Sequence, residues 1–498
     1  MMSQSLWILI AVQIAMGAFD MLYHHELTER LAWRPSQRKE LVLHGARNLL
    51  YAVLFATLGW IAVQGAWAWV LLALLGAEVV ITLTDFVEED LSRKLPATER
   101  VTHALLALNY GALLILLVPP LVARGWQPTS AAGAFYGYWS WFAAVCAIGV
   151  AVFGVRDLMA SVRARRLVLP PAAELVRTLS APRTILVTGA TGFIGRRLTQ
   201  ALTEGGHQCI ILTRDVAKAV GLRPPFGLVT SLDQIPPDTR IDAIVNLAGE
   251  PIGEGLWTKV RRRRIVESRV EMTAGIAHLI ARLEHRPEVV VNGSAIGWYG
   301  LRGAEQLTEA DDGAPCFSRD VCIAWEKEAK KIEATGARLV LLRIGLVMGI
   351  EGGVLSRLLV PFEFGAGGPI GSGRQWMSWI ERDDLVRLIA HAISTPTLEG
   401  PLNATAPIPV TNKVFGQELG RALRRPSFLS LPGTPLHYLL GDFADELLLG
   451  GQRVLPQKAL ASGFQFRHAN LGSAFRAILG GTEPMRAETI PVHVTVQK

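Results

Sequence analysis

Thr184-Ile-Leu-Val-Thr-Gly-Ala-Thr-Gly-Phe-Ile-Gly195 is a short apolar, β-branched run that passes through three glycines into a helical pattern ending near Glu204. Strand, glycine turn, helix is the context in which such a triplet binds a dinucleotide. Gly189 permits the tight turn, Gly192 lets the backbone approach a pyrophosphate, and Gly195 lets the helix pack on the strand. Thr191, Phe193 and Ile194 complete the turn, and the phosphates are expected at the helix N-terminus, where free amides and the dipole favour anions. The stretch predicts a Rossmann-type α/β domain with a doubly wound parallel sheet.

Working outward, a second strand is expected over Gln208 to Thr213, with Arg214 at its end. A carboxylate near this point selects the free ribose 2′-hydroxyl of NAD, whereas the cation of Arg214 suits the 2′-phosphate of NADP(H). NADP(H) is therefore preferred over NAD(H). Another strand, Ile241 to Leu247, ends in Asn246-Leu-Ala-Gly249, where Asn246 and the small Ala248 and Gly249 let the backbone pass close to a cofactor.

These two stretches resemble the extended short-chain dehydrogenase/reductase superfamily. Ala248-Gly-Glu-Pro-Ile252, Trp257 through Arg269, Ser294-Ala-Ile-Gly-Trp-Tyr-Gly300, Trp325-Glu326 and Gly367-Gly-Pro-Ile-Gly-Ser-Gly-Arg-Gln-Trp-Met-Ser-Trp379 narrow it. Together they look like the epimerase-type atypical subfamily with a C-terminal domain of unknown function. The resemblance implies an NADP(H)-binding domain over 184–408, the subfamily's own domain over 409–480, and a tail over 481–498.

The chain departs from the superfamily at its proton donor, a tyrosine with a lysine four residues later. No tyrosine here has that lysine, whose charge normally lowers the phenol's pKa. Ser294, after an apolar strand over Glu288 to Val291, and Tyr299 are the expected catalytic hydroxyls. Each has a structural alternative, a cap for Ser294 and packing beside Trp298 for Tyr299. Cys322 and Glu326 share a helical face, expected as a buried thiol and a surface carboxylate; the alternative is a thiol and a carboxylate presented together. In the glycine-rich loop, Arg374 and Trp376 are the expected substrate-binding pair; the alternative is a tight loop packed on the C-terminal domain.

Residues 1–155 are of another kind. Half of the whole chain is hydrophobic and only 19% charged, below the ~25% of ordinary soluble domains. Five apolar runs account for this: Ser5 to Leu22, Leu41 to Val63, Ala66 to Thr84, Ala104 to Val122 and Ala134 to Val155. Each approaches the roughly 20 residues a bilayer requires, predicting a five-span all-α bundle. Basic residues collect after runs one (Arg30, Arg34, Arg38, Lys39), three (Arg93, Lys94, Arg100) and five (Arg156, Arg163, Arg165, Arg166). Basic loops remain in the cytoplasm, so the N-terminus is expected outside and the dinucleotide domain inside, against an inner membrane. Residues 156–183 are expected as a juxtamembrane helix and linker. The four cysteines lack paired spacing, and the net charge of +7 lies mostly in juxtamembrane arginines and one helix, without aromatic interleaving. Neither a disulfide framework nor nucleic-acid binding is expected; the oligomeric state is open.

Ionisable residues recur at the inner ends of the runs. Asp20 and His24 are four apart, as are Asp85 and Glu89, with Glu78 seven residues before Asp85 and His44 and His103 opening runs two and four. Asp20, His24, Glu78, Asp85 and His103, with His44 nearby, are expected to converge on a ligand. Carboxylates mixed with imidazoles suit iron, manganese or zinc. A quinone, a lipid headgroup or interfacial solvation are the alternatives, and Glu26, Glu88, Asp90 and Arg30 are expected to snorkel.

The functional expectation is a membrane-tethered, NAD(P)-dependent oxidoreductase or epimerase acting on a small or lipid-like substrate. A non-catalytic NADP(H)-binding sensor or scaffold coupled to the bundle is the alternative. A third reading makes the bundle catalytic, with the dinucleotide domain supplying reductant.

Overall fold

The computed structural model describes residues 3–93, 95–167, 169–222 and 225–481, so Lys94 and nearly all of the expected tail lie outside the described residues. The chain divides into two compact units, Met1–Val168 and Leu169–Lys498.

The first unit consists of helices α1 (Gln4–Phe19), α2 (Arg38–Trp60), α3 (Ala66–Ser92), α4 (Ala97–Gly125) and α5 (Tyr138–Ala164). Five helical segments are long and apolar enough to cross a membrane. Small residues bring α2 against α5: a Cβ on Gly45 would lie 2.7 Å from Leu158, and one on Gly59 would lie 2.6 Å from that of Ala143. Such residues permit the close backbone approach that helices need where apolar surface alone gives little drive to associate. The boundaries differ from the apolar runs in three places. The first helix continues as a π-helical stretch, Asp20–Thr28. Ile61 to Val63, expected to end the second helical run, instead form with Gln64 a strand (β1, Ile61–Gln64) paired antiparallel with β2 (Ser130–Gly133). Arg156 onward, expected to begin a separate juxtamembrane helix, is the last third of α5.

The second unit is a three-layer α/β/α domain around one parallel sheet. Its strands are β3 (Thr184–Thr188), β4 (Gln208–Leu212), β5 (Phe226–Val229), β6 (Ala243–Asn246), β7 (Val289–Ala295), β8 (Arg338–Ile344) and β9 (Gly400–Ala404), in spatial order β9-β8-β7-β6-β3-β4-β5. Every pair in it is parallel. Ile185, Leu186 and Val187 are all buried, as expected of a central strand covered on both faces. Helices α6 (Phe193–Glu204) and α7 (Lys259–Arg282) cover opposite faces, each within its own apolar core.

Ala172, Leu175, Val176 and Leu179, expected in the linker, are buried in the α6-side core. They belong to the domain itself. Beyond β9, Phe415 of α8 (Asn412–Leu423) packs edge-on against Phe475 of a closing helix, Leu471–Ile478.

Candidate functional site

The strand order reverses between β3 and β6, and in open α/β sheets ligands bind in the crevice at that switch point. Two loops meet there. Gly189 has a φ of +71°, and a Cβ on it would lie 2.7 Å from the carbonyl of Leu247. Gly195 is still tighter, its Cβ falling 2.1 Å from the Gly189 oxygen, so α6 rests directly on the turn. Gly192 is the open one: it is exposed, and only the Gly189 oxygen, at 3.2 Å, is near its Cβ position. It is also the N-cap of α6, and no side chain caps that end. The first-turn amides therefore face outward, as anion binding requires.

The remaining expected cofactor residues divide into two groups. Arg214 is exposed just past β4, Gly249 is exposed past β6, and Thr191 and Ala248 are half-buried at the same edge. Phe193, Ile194 and Asn246 point elsewhere. The Phe193 ring lies against Gly349 and Gly352 with the Arg382 guanidinium 5.3 Å from its centre, and Ile194 packs on the core. Asn246 is fully buried; it accepts from Thr188 Oγ1 at 2.6 Å and donates to Asn292 Oδ1 at 2.7 Å and Thr273 Oγ1 at 3.1 Å. With its amide saturated, Asn246 ties β3, β6 and β7 together, and Thr188 Oγ1 in turn accepts from the amide of Ala248 at 3.3 Å.

The two expected catalytic hydroxyls are turned inward. Ser294 lies within β7 rather than after a strand ending at Val291, is 2% exposed, and donates to Glu326 Oε1 at 2.7 Å. Glu326, expected at the surface, is buried on α9 (Phe317–Ala329) and accepts two bonds from Arg343, at 2.9 and 3.0 Å. Arg343 also donates to the Tyr299 hydroxyl at 3.1 Å, and that hydroxyl donates to Asn403 Oδ1 at 2.7 Å. Tyr299 is 0% exposed, and burial pushes its phenol up to about 12 despite the Arg343 charge. A proton donor needs reach to its substrate and a pKa near the working pH; Tyr299 has neither. Cys322 is buried as expected, its thiol pushed up to about 12 by burial and the Glu326 charge.

Trp325 of α9 lies in the segment, Cys316 to Glu328, where the resemblance leads one to expect the tyrosine-lysine pair. Its indole donates to Thr273 Oγ1 at 3.1 Å, and its ring fills the space beside Gly293. Above the ring, at 5.1 Å, lies the guanidinium of Arg269, which also approaches the Cβ position of Gly249 to 3.0 Å. Arg269 donates to the carbonyls of Glu250 and Ile265, and burial lowers its pKa from the ordinary value. Among the described residues no carboxylate forms an ion pair with it. Residue spacing gave no sign of this cation; only the fold brings it to the β6 loop.

The glycine-rich loop takes the packing role. Gly371 donates to the Leu431 carbonyl, and Leu429 and Leu431 donate back to those of Gly367 and Pro369. Arg374 is exposed, whereas Trp376 is half-buried beneath the Arg453 guanidinium at 4.4 Å.

In the helical unit, the expected ligand residues separate. Asp20 lies 3.2 Å from His103 Nε2, but His24 is held by Asp20 and Thr98, at 2.8 and 3.1 Å. Glu78 is apart, accepting from Tyr51 and Thr82, and Asp85 accepts from Arg47 at 2.9 Å and lies 3.0 Å from His44. His25, Glu40, Glu89 and Glu99 instead gather with Asp20, His44 and His103. Glu26 does not snorkel; it is buried and paired with Arg156.

Residues 185–403 match the NAD dependent epimerase/dehydratase family, and residues 431–478 match a domain of unknown function, DUF1731. The chain is 40% identical over 303 residues to the chloroplastic epimerase family protein SDR39U1 homolog of Arabidopsis thaliana, across 59% of this chain and 86% of that one. It belongs to the epimerase family. Its similarity to the epimerase family protein YfhF of Bacillus subtilis is 37% over 300 residues, again 59% of this chain and 97% of the relative. Among solved structures, human epimerase family protein SDR39U1 with NADPH superposes at a TM-score of 0.54 with 33% identity, covering 59% of this epimerase-family chain and 99% of the human one. A nucleoside-diphosphate sugar epimerase of Corynebacterium glutamicum gives 0.50 at 30% identity, over 65% and 63%. The seven-stranded parallel sheet agrees with the fold of both.

Proposed function

We propose that the chain is a membrane-tethered, NADP(H)-dependent oxidoreductase or epimerase whose substrate is a small or lipid-like molecule at the cytoplasmic face. The observation that carries the cofactor part is the open Gly192 turn at an uncapped helix end, with exposed Arg214 at the neighbouring strand end. A dinucleotide phosphate laid across the two edges finds amides for its pyrophosphate and a guanidinium for its 2′-phosphate. The human relative with NADPH supports the same choice. The five apolar helices and the clustered basic loops support tethering with the α/β unit inside.

For the chemistry, Arg269 takes the place of the missing lysine. It offers a cation beside the β6 loop, where an oxyanion developing on the substrate gains from a fixed donor in a desolvated site. Ser294, Glu326, Arg343 and Tyr299 act behind it as positioning residues, holding β7 and β8 against α9.

Metabolite and lipid profiling of a strain lacking the chain tests this, with complementation by the parent, Arg269→Ala or Gly192→Val. A species that accumulates without the chain should disappear with the parent only, while purified Arg269→Ala still binds NADPH. Full complementation by Arg269→Ala would favour a non-catalytic NADP(H) sensor, for which the absent tyrosine-lysine pair is the supporting observation. Reporter fusions at Thr129 and Pro171 should fall on opposite sides of the membrane; the same side for both refutes the topology.

A further inference from the structure

We propose that the helical unit holds a transition-metal centre ligated by Asp20, His25, Glu99 and His103, extended by Glu40, His44 and Glu89. The ligand atoms of the first four lie within 4.8 Å of one another, and a second quartet, His25, Glu40, His44 and Glu89, shares His25 with it. The residues come from α1's π-helical extension, α2, α3 and α4, so four chain segments converge on one place.

The spacing matches that of ligands around a metal ion. Ligands about 2.1 Å from a tetrahedral ion stand roughly 3.4 Å apart. His25 Nε2 lies 3.4 Å from Asp20 Oδ2 and 3.5 Å from Glu99 Oε1, and His103 Nε2 lies 3.2 Å from Asp20 Oδ2. Glu89, a member of the second quartet, lies between the two, its Oε1 3.7 Å from His44 Nε2 and its Oε2 3.4 Å from His103 Nδ1. His25 Nε2, His44 Nε2 and Glu89 Oε2 are buried and make no hydrogen bond among the described residues; what they have are ion-pair contacts, 3.4 Å to Asp20, 3.0 Å to Asp85 and 3.4 Å to His103. A buried polar atom without a hydrogen bond is costly unless something else occupies its lone pair.

Charge points the same way. Asp20, Glu40, Asp85, Glu89 and Glu99 bring five negative charges, all buried. Arg93, bonded to Glu40 and Glu99, and Arg47, bonded to Asp85, supply two positive ones. With the imidazoles neutral, an excess of three falls in an apolar bundle, where an uncompensated carboxylate is expensive. One divalent ion at the imidazoles lowers it to a single negative charge, and two turn it into a single positive one. Imidazole and carboxylate together select iron, manganese or zinc over magnesium or calcium, which prefer oxygen alone.

The π-helix explains how His25 arrives. With bonds from residue i to i+5, Asp20, His24 and His25 can all face inward, and such segments occur frequently at functional sites.

The test is elemental analysis of the full chain purified in mild detergent without a histidine tag. One to two equivalents of iron, manganese or zinc are expected in the parent. Less than a tenth of an equivalent is expected in His25→Ala and Glu99→Gln, with the metal retained in Glu78→Gln. Since a variant could fail to fold, the parent is also stripped with chelator and titrated with Co(II), whose d–d bands should saturate at the same stoichiometry. A metal-free parent that gives no Co(II) bands would overturn the proposal and leave the network closed by protonated imidazoles. Full metal retention in both ligand variants would overturn it equally.

Discussion

Replacing Gly192 by alanine separates cofactor binding from folding. The residue sits at φ −80°, ψ 176°, which alanine adopts freely, and its added Cβ meets only the Gly189 oxygen at 3.2 Å. Reduced freedom of the unfolded chain stabilises such a change by about 0.4–1 kcal/mol, offset by the tight contact. The apo protein should therefore melt within a few degrees of the parent. Binding should suffer far more, because the methyl group holds the pyrophosphate off the first-turn amides. Losing two charge-assisted hydrogen bonds of about 1.5–3 kcal/mol each weakens affinity by roughly 10²- to 10⁴-fold. NADPH fluorescence titration of the full chain in detergent measures this, with apo melting as the control. NADPH bound within threefold of the parent would refute the assignment of the turn. Gly195→Ala is the contrast: its Cβ would lie 2.1 Å from the backbone oxygen of Gly189, so the fold itself should be lost.

Arg214→Ala should weaken NADPH about tenfold or more while leaving NADH unchanged, as one phosphate contact requires; equal losses for both cofactors would exclude a 2′-phosphate role. Arg343→Met strands the buried Glu326 carboxylate and should cost about 3–5 kcal/mol in denaturant unfolding. Adding Glu326→Leu should recover much of it, and a cost below about 1 kcal/mol for the single change would contradict the pair's burial. Glu381, which caps α10 (Arg382–Ser394), is pushed up to about 8 by burial and then by the Asp383 and Asp384 charges. A carboxyl raised above its unfolded value contributes stability below about pH 4.5 that is lost as pH rises through 8. The parent should lose melting temperature as pH rises from about 4.5 to 8 and level off above it, and Glu381→Gln should flatten that slope; parallel slopes would count against the assignment.

Local chemistry made much of the α/β unit legible. Gly189, Gly192 and Gly195 are read by backbone geometry that three residues suffice to specify, and the strand at Thr184 follows from its neighbours. What stayed hidden depends on long-range packing. Ser294 is expected to act on substrate because it lies close to where the resemblance puts a catalytic hydroxyl, but Glu326, 32 residues away, draws the hydroxyl inward. Arg269 is one of many arginines on a basic helix until the fold sets it over Trp325 beside Gly249. In the helical unit, α-helical spacing joined Asp20 to His24 and passed over His25. The π-helical stretch keeps His24 on Asp20 and brings His25 to the same carboxylate as well, and no residue pattern announces it.

Ala172 to Leu179 raise a question of where a module begins. The matched family stretch starts at residue 185, and the glycine motif invites a cut just before it. Yet Leu175, Val176 and Leu179 fill the core under α6, burying apolar surface worth about 5 kcal/mol or more. That is comparable to the whole stability of many domains. A fragment trimmed at residue 180 would keep every motif residue and lose part of its own interior. Its failure to bind a nucleotide would then report a missing floor, not a missing site.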